Sequence, residues 1–214
     1  MKEHHLEVKR TARYFTIGEL HEHTKHIWFV LHGYGQLAQF FIKKFDVLLN
    51  DHTFVVAPEG LSRFYLEGVS GRVGASWMTR EERAFEIHDY IFYLTELYDV
   101  IRANQQLTDV KINLLGFSQG NATTLRWLNA GHIRCDRLVI WAGFFANGVS
   151  DVIDPVHLTN IPTVLVYGTQ DEYLAQIDLE KYENDIRTAI PHLEVITFDG
   201  KHTVDRETLK QITQ

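Results

Sequence analysis

Short, nearly unbroken apolar runs recur along the chain, separated by segments whose apolar residues return at helical spacing. The runs fall at 27–31, 53–57, 111–115, 137–141, 163–167 and 193–198. Most are continuous rather than alternating, which predicts strands covered by helices on both faces. Residues 13–20 are more polar and predict one further strand at a sheet edge. From 81 to 103, Ile87, Tyr90, Ile91, Leu94, Leu97, Tyr98 and Ile101 repeat at the period of a helix. Helices are also predicted over 36–49, 119–130, 176–190 and 205–213. Strand followed by helix, repeated, implies a mostly parallel sheet with right-handed crossovers. In such sheets the chemistry lies in the loops that leave the carboxyl ends of the strands.

The loop after 111–115 reads Gly116-Phe117-Ser118-Gln119-Gly120. Between a strand and a helix, G-x-S-x-G makes a sharp turn that lifts a serine hydroxyl above the sheet. Taken alone, the same residues also read as a glycine-flanked helix cap. A serine needs a base to take its proton and a third group to orient that base, and here they should follow in the order acid, histidine. Asp171 stands in the loop after 163–167, and His202 in the loop after 193–198. The competitors fit less well: His192 precedes its strand, His157 and Asp154 lie in a long connection, and Asp199 shares a loop with His202. An oxyanion needs preorganised donors. The backbone N–H of Gln119 and that of Tyr34, in the glycine-flanked loop Leu31-His32-Gly33-Tyr34-Gly35, are the candidates.

Composition narrows the partners. The 214 residues are 45% hydrophobic and 23% charged, which suits one domain over 1–214 with no inserted block for a separate lid domain. Lys and Arg number 21 against 28 Asp and Glu, a net charge of −7 that argues against nucleic acid or anionic membrane as partner. The apolar runs are too short for a membrane span, and the charged first ten residues lack the core of a signal peptide, so a cytoplasmic protein is expected. Cys135 is the only cysteine and reads as a packed residue. His21, His23 and His26 do not match a metal-ligand spacing, so no metal is expected. Apolar surface positions allow a homodimer without marking its face.

Residues 59–80 form a long connection with Phe64, Tyr65, Trp77 and four glycines, able to make one wall of an acyl pocket; Trp77, Phe144 and Phe145 are the candidate substrate-binding residues. The plainer alternative is that these residues are surface excursion and core.

With these residues in view, the chain resembles the α/β-hydrolase superfamily, and within it the phospholipase/carboxylesterase group that includes acyl-protein thioesterase-like enzymes. The resemblance runs from about residue 26 to 208. Its anchors are L-H-G-Y-G (31–35), A-P-E-G (57–60), A-S-W-M (75–78), G-F-S-Q-G (116–120), W-A-G-F-F (141–145), G-T-Q-D (168–171) and G-K-H-T-V-D-R-E (200–207). It implies an α/β-hydrolase fold with a mostly parallel sheet of about seven strands, a Ser118–Asp171–His202 triad, and oxyanion donors at Tyr34 and Gln119. It also implies hydrolysis of a small-molecule ester or thioester without cofactor. A carboxylesterase acting on small or medium acyl esters is the first expectation. A lysophospholipase or acyl-protein thioesterase is the runner-up, and a non-catalytic hydrolase-fold binding protein is the rival of another class. The chain departs from the family pattern at Asn121, usually a second glycine, and at Gln36, usually an aspartate. Lys201 replaces a glycine before the histidine, and Asp171-Glu172-Tyr173-Leu174-Ala175 replaces D-x-x-V-P.

Overall fold

The computed structural model describes residues 1–103, 107 and 109–213. In chain order the elements are β1 (Tyr14–Ile17), β2 (His26–Leu31), α1 (Ala38–Phe41), β3 (Thr53–Pro58), β4 (Ser62–Tyr65), β5 (Val73–Ser76), α2 (Arg83–Arg102), β6 (Lys111–Phe117), α3 (Gln119–Asn129), β7 (Arg137–Trp141), β8 (Thr163–Gly168), α4 (Leu179–Ala189), β9 (Glu194–Phe198) and α5 (Arg206–Ile212). Seven strands make one sheet in the order β1-β3-β2-β6-β7-β8-β9, with β4 and β5 paired apart from it. β1 lies antiparallel on β3, and every other neighbour pair in the sheet is parallel. This is the mostly parallel, seven-stranded sheet expected from the apolar runs, with the more polar segment at its edge.

Side chains alternate between two cores, one on each face of the sheet. Ile27, Phe29 and Leu31 of β2 point to the layer of α2, α3 and α4, where Leu94, Trp127 and Ile186 are buried. Trp28 and Val30 point to the layer of α1 and α5, with Phe41, Leu209 and Ile212. Both sides being dry is why these strands read as continuous apolar runs. Asp178 and Asp205 set the starts of α4 and α5, their carboxylates accepting from the amides of Lys181 and Thr208 at 3.0 and 2.8 Å. Among the described residues no helix is long and apolar enough to cross a membrane.

Two expectations about local structure are corrected. The helix predicted over 36–49 is one turn of α1 followed by a 3-10 helix, Ile42–Leu48. Its buried residues Ile42, Phe45 and Leu48 recur every third position, the period of that tighter helix, so burial selects it over an α-helix. The 59–80 connection is organised by the β4–β5 hairpin. β5 is further extended by a bridge between Ala75 and Gln36, which fastens the hairpin to the loop after β2.

Candidate active site

Ser118 lies between the end of β6 and the start of α3 with φ 52° and ψ −118°. A non-glycine residue in such a conformation costs about 1–3 kcal/mol and persists only where its surroundings over-determine it. The Ser118 N–H donates to Trp141 O at 3.0 Å, and Ser118 O accepts from both the backbone and the side-chain amide of Asn121, each at 3.0 Å. The flanking glycines are required by close approach. A Cβ on Gly116 would stand 2.5 Å from Asn121 Cα, and one on Gly120 only 2.2 Å from Leu31 O. The G-x-S-x-G spacing therefore records how tightly α3 is pressed against β6 and β2.

The acid and the imidazole arrive from beyond β7, on the loops after β8 and β9. Asp171 follows β8 and is buried; its Oδ1 accepts from the Tyr173 amide at 2.9 Å and its Oδ2 lies 2.7 Å from His202 Nδ1. The two loops cross at Gly168, where a Cβ would meet Gly200 O at 2.2 Å, and the Gln170 amide donates to that oxygen at 2.9 Å. The His202 ring is held between Phe117, with centroids 4.9 Å apart, and Tyr173 at 4.6 Å. The following residue is anchored too: Thr203 O accepts from the Trp141 indole at 2.8 Å, and its hydroxyl accepts from Lys44 Nζ at 3.0 Å. With Nδ1 committed to Asp171, Nε2 is the nitrogen left for proton transfer. Ser118 Oγ has no hydrogen-bond partner among the described residues, and the Phe117 contact sets the imidazole beside the residue that precedes it. Asp199 Oδ1 pairs with Gln170 Nε2 at 2.6 Å rather than with His202. His192 lines a cleft at the opposite, amino-terminal edge of the sheet, and Asp154 caps the turn that carries His157.

The loop after β2 is built around a buried histidine. Gly60 N–H donates to His32 Nε2 at 3.0 Å, so Nε2 carries no proton and Nδ1–H donates to Gly33 O at 2.8 Å. Burial pushes the His32 pKa down to about 4, so the ring is neutral. Gly33 N–H is taken by Gln36 Oε1 at 2.9 Å, a role a side-chain oxygen fills here without a charge. The amides of Tyr34 and Gln119 have no backbone acceptor among the described residues. Gly33 brings this loop against Ser118, since a Cβ there would lie 3.2 Å from Ser118 Cβ. Sequence reasoning missed a second role for Gln119. Its Oε1 accepts from Trp77 N–H at 3.2 Å and its Nε2 donates to Met78 O at 2.8 Å, tying the end of the hairpin to the elbow.

Residues 13–214 match the family profile described as Phospholipase/Carboxylesterase. The chain belongs to the phospholipase/carboxylesterase family. Membership makes it a hydrolase of that type. No curated protein matches its sequence. The fold is shared with solved structures at low identity. Acyl-protein thioesterase 2 from Zea mays superposes with a TM-score of 0.69 at 16% identity, covering 94% of this chain and 96% of that one. A phospholipase/carboxylesterase from Dyadobacter fermentans gives 0.65 at 16% identity over 96% of each chain. Esterase PE8 gives 0.61 at 18% identity, covering 95% and 97%.

This family member places the three candidate substrate residues in different settings. Trp77 is 1% exposed, stacked on His32 with centroids 5.0 Å apart and donating its indole N–H to His32 O at 2.8 Å. It is a support beneath the loop rather than an open wall. Phe145 is buried and Phe144 exposed, and both line a groove of about 630 Å³ between the segment after β7 and α4, with Ile177, Tyr182 and Ile186. Ser118, Asp171 and His202 do not line that groove. Cys135 is half-buried, and desolvation pushes its thiol up to about 12, which leaves it without thiolate character.

Proposed function

We propose that the protein hydrolyses carboxylic esters by acyl transfer through Ser118. His202 takes the serine proton as Oγ attacks the carbonyl, then gives it to the leaving group. Asp171 fixes the Nδ1–H tautomer and supports the imidazolium that forms. The backbone amides of Tyr34 and Gln119 donate to the oxyanion, and water releases the acyl group by the same steps in reverse order. The observation that carries this reading is the Asp171–His202 pair at 2.7 Å, its carboxylate buried, on loops that leave the carboxyl ends of the same sheet as the strained Ser118 turn.

Small or medium acyl esters are the proposed substrates. Tyr34 and Tyr173, both largely exposed, stand on the oxyanion loop and against His202, and so offer apolar surface beside the serine without enclosing it. The groove beside Phe144 favours a second reading, a lysophospholipid or acylated protein whose longer chain would extend along it; the Zea mays structural neighbour bears the name of such a thioesterase. Initial rates on p-nitrophenyl esters of increasing acyl length separate the two. Activity peaking at acetate or butyrate supports the first, and a peak at long chains supports the second. Ser118→Ala, folded as wild type, should lower kcat by roughly 10⁴-fold or more. An active alanine variant would overturn the assignment.

A further inference from the structure

Two non-glycine residues with positive φ sit side by side at the strand ends: Ser118 at 52° and Ala142, immediately after β7, at 47°. One side chain lies between them. Asn121 is 1% exposed, and each of its polar atoms is used. Its Nδ2 donates to Ser118 O at 3.0 Å and to Trp141 O at 2.8 Å, while its Oδ1 accepts from Trp141 N–H at 3.1 Å. Trp141 is fully buried and continues the connection, its indole N–H reaching Thr203 O, the carbonyl next to His202, at 2.8 Å. A bare Cα at 143 leaves room for the amide, since a Cβ on Gly143 would fall 2.9 Å from Asn121 Nδ2.

We infer that Asn121 and Trp141 are positioning residues that lock the nucleophile turn and the histidine loop into one register. The inference rests on the serine-hydrolase reading above. A glycine at 121 would remove the Oδ1 that accepts from Trp141 N–H in a dry interior, and the only side-chain donor that spans Ser118 O and Trp141 O among the described residues. The connection runs from the peptide of Ser118 through one amide to Trp141, and through one indole to the residue after His202. Neither side chain touches the reacting atoms. Their effect is on the separation of Ser118 from His202, which governs proton transfer far more than substrate affinity.

The test is kinetic. Asn121→Ala and Trp141→Phe, which deletes the indole N–H but keeps an aromatic ring, are assayed with the double variant on p-nitrophenyl acetate, with circular dichroism and thermal melts alongside. Each single variant should lower kcat about 10- to 100-fold with KM within about threefold of wild type. The double variant should lose little more than the worse single one, because both cut the same connection. A folded single variant with kcat within twofold of wild type overturns the inference, as do losses that multiply in the double variant. Should Asn121→Ala fail to fold, Asn121→Asp keeps the shape and the acceptor while deleting both donors, and is read by the same criteria. Labelling of wild type with a fluorophosphonate separates this from failure of the underlying reading. Unlabelled Ser118 with no serine-dependent turnover removes the reaction, and this inference with it; normal labelling with fully active variants removes this inference alone.

Discussion

Replacing Gly120 with alanine drives a methyl group into the backbone of β2. The added carbon would stand 2.2 Å from Leu31 O and 2.8 Å from both His32 O and the Leu31 carbonyl carbon, where ordinary contact begins at 3.4 Å. These are main-chain atoms and cannot swing aside. α3 and the end of β2 must therefore part by about 1 Å, a displacement that in a preorganised site costs on the order of 10²-fold in rate. The movement falls on the functional geometry directly: Leu31 and His32 lead into the Tyr34 amide, while Gly120 follows the Gln119 amide and Ser118. The expected result is a kcat/KM on p-nitrophenyl acetate roughly 10²-fold below wild type, with about 1–3 kcal/mol of stability lost to overpacking in a denaturant titration. Gly68→Ala is the control. It also adds a methyl group, and unlike Gly120 it has positive φ, but nothing lies within 4 Å, so stability should fall slightly and kcat/KM should hold. A Gly120→Ala enzyme with unchanged stability and kcat/KM within two- to threefold of wild type would refute the argument that this contact sets the geometry of the proposed oxyanion donors.

Two further outcomes follow from the same geometry. Asp171→Asn keeps the size of the side chain but removes the charge that fixes the His202 tautomer, and should lower kcat by roughly 10³–10⁴-fold; a loss under tenfold in pH 7–8 rate assays would show that another group orients the imidazole. His32 is neutral when folded, with a pKa of about 4 against an ordinary 6.5, because burial disfavours its charged form. The unfolded chain therefore binds the extra proton between those values, so stability falls as pH drops from 6.5 towards 4, by about 3 kcal/mol at about 1.4 kcal/mol per pH unit. Denaturant titrations at pH 7.0 and 4.5 on wild type and His32→Gln should show a steeper acid loss in wild type, and equal losses in both would refute this assignment.

The sequence by itself determined the parts of this protein that depend on local period and chain order. Strands buried on both faces announce themselves as unbroken apolar runs, so the parallel core of the sheet and its polar edge strand were legible, as were α2 and α3. The positions of Ser118, Asp171 and His202 were legible as well, because each follows such a run and the carboxyl ends of parallel strands lie together. Tertiary structure alone decided what period cannot report, namely which atoms meet. The β4–β5 hairpin is two strands of four residues whose pairing depends on the bridge from Ala75 to Gln36, and nothing in their own pattern signals it. The segment after α1 takes the 3-10 form because the core it covers selects every third side chain. Asp171 rather than Asp199 faces His202 because Gly168 lets two loops cross against Gly200, thirty-two positions away along the chain. Trp77 is buried under His32, forty-five residues before it, although its loop reads as surface. Asn121, which stands where the family usually has a glycine, joins Ser118 to Trp141 across two strand ends. For Asp171, Trp77 and Asn121 the deciding free energy is that of burying a polar group with its partner satisfied, and the partner is chosen by how the fold brings distant segments together.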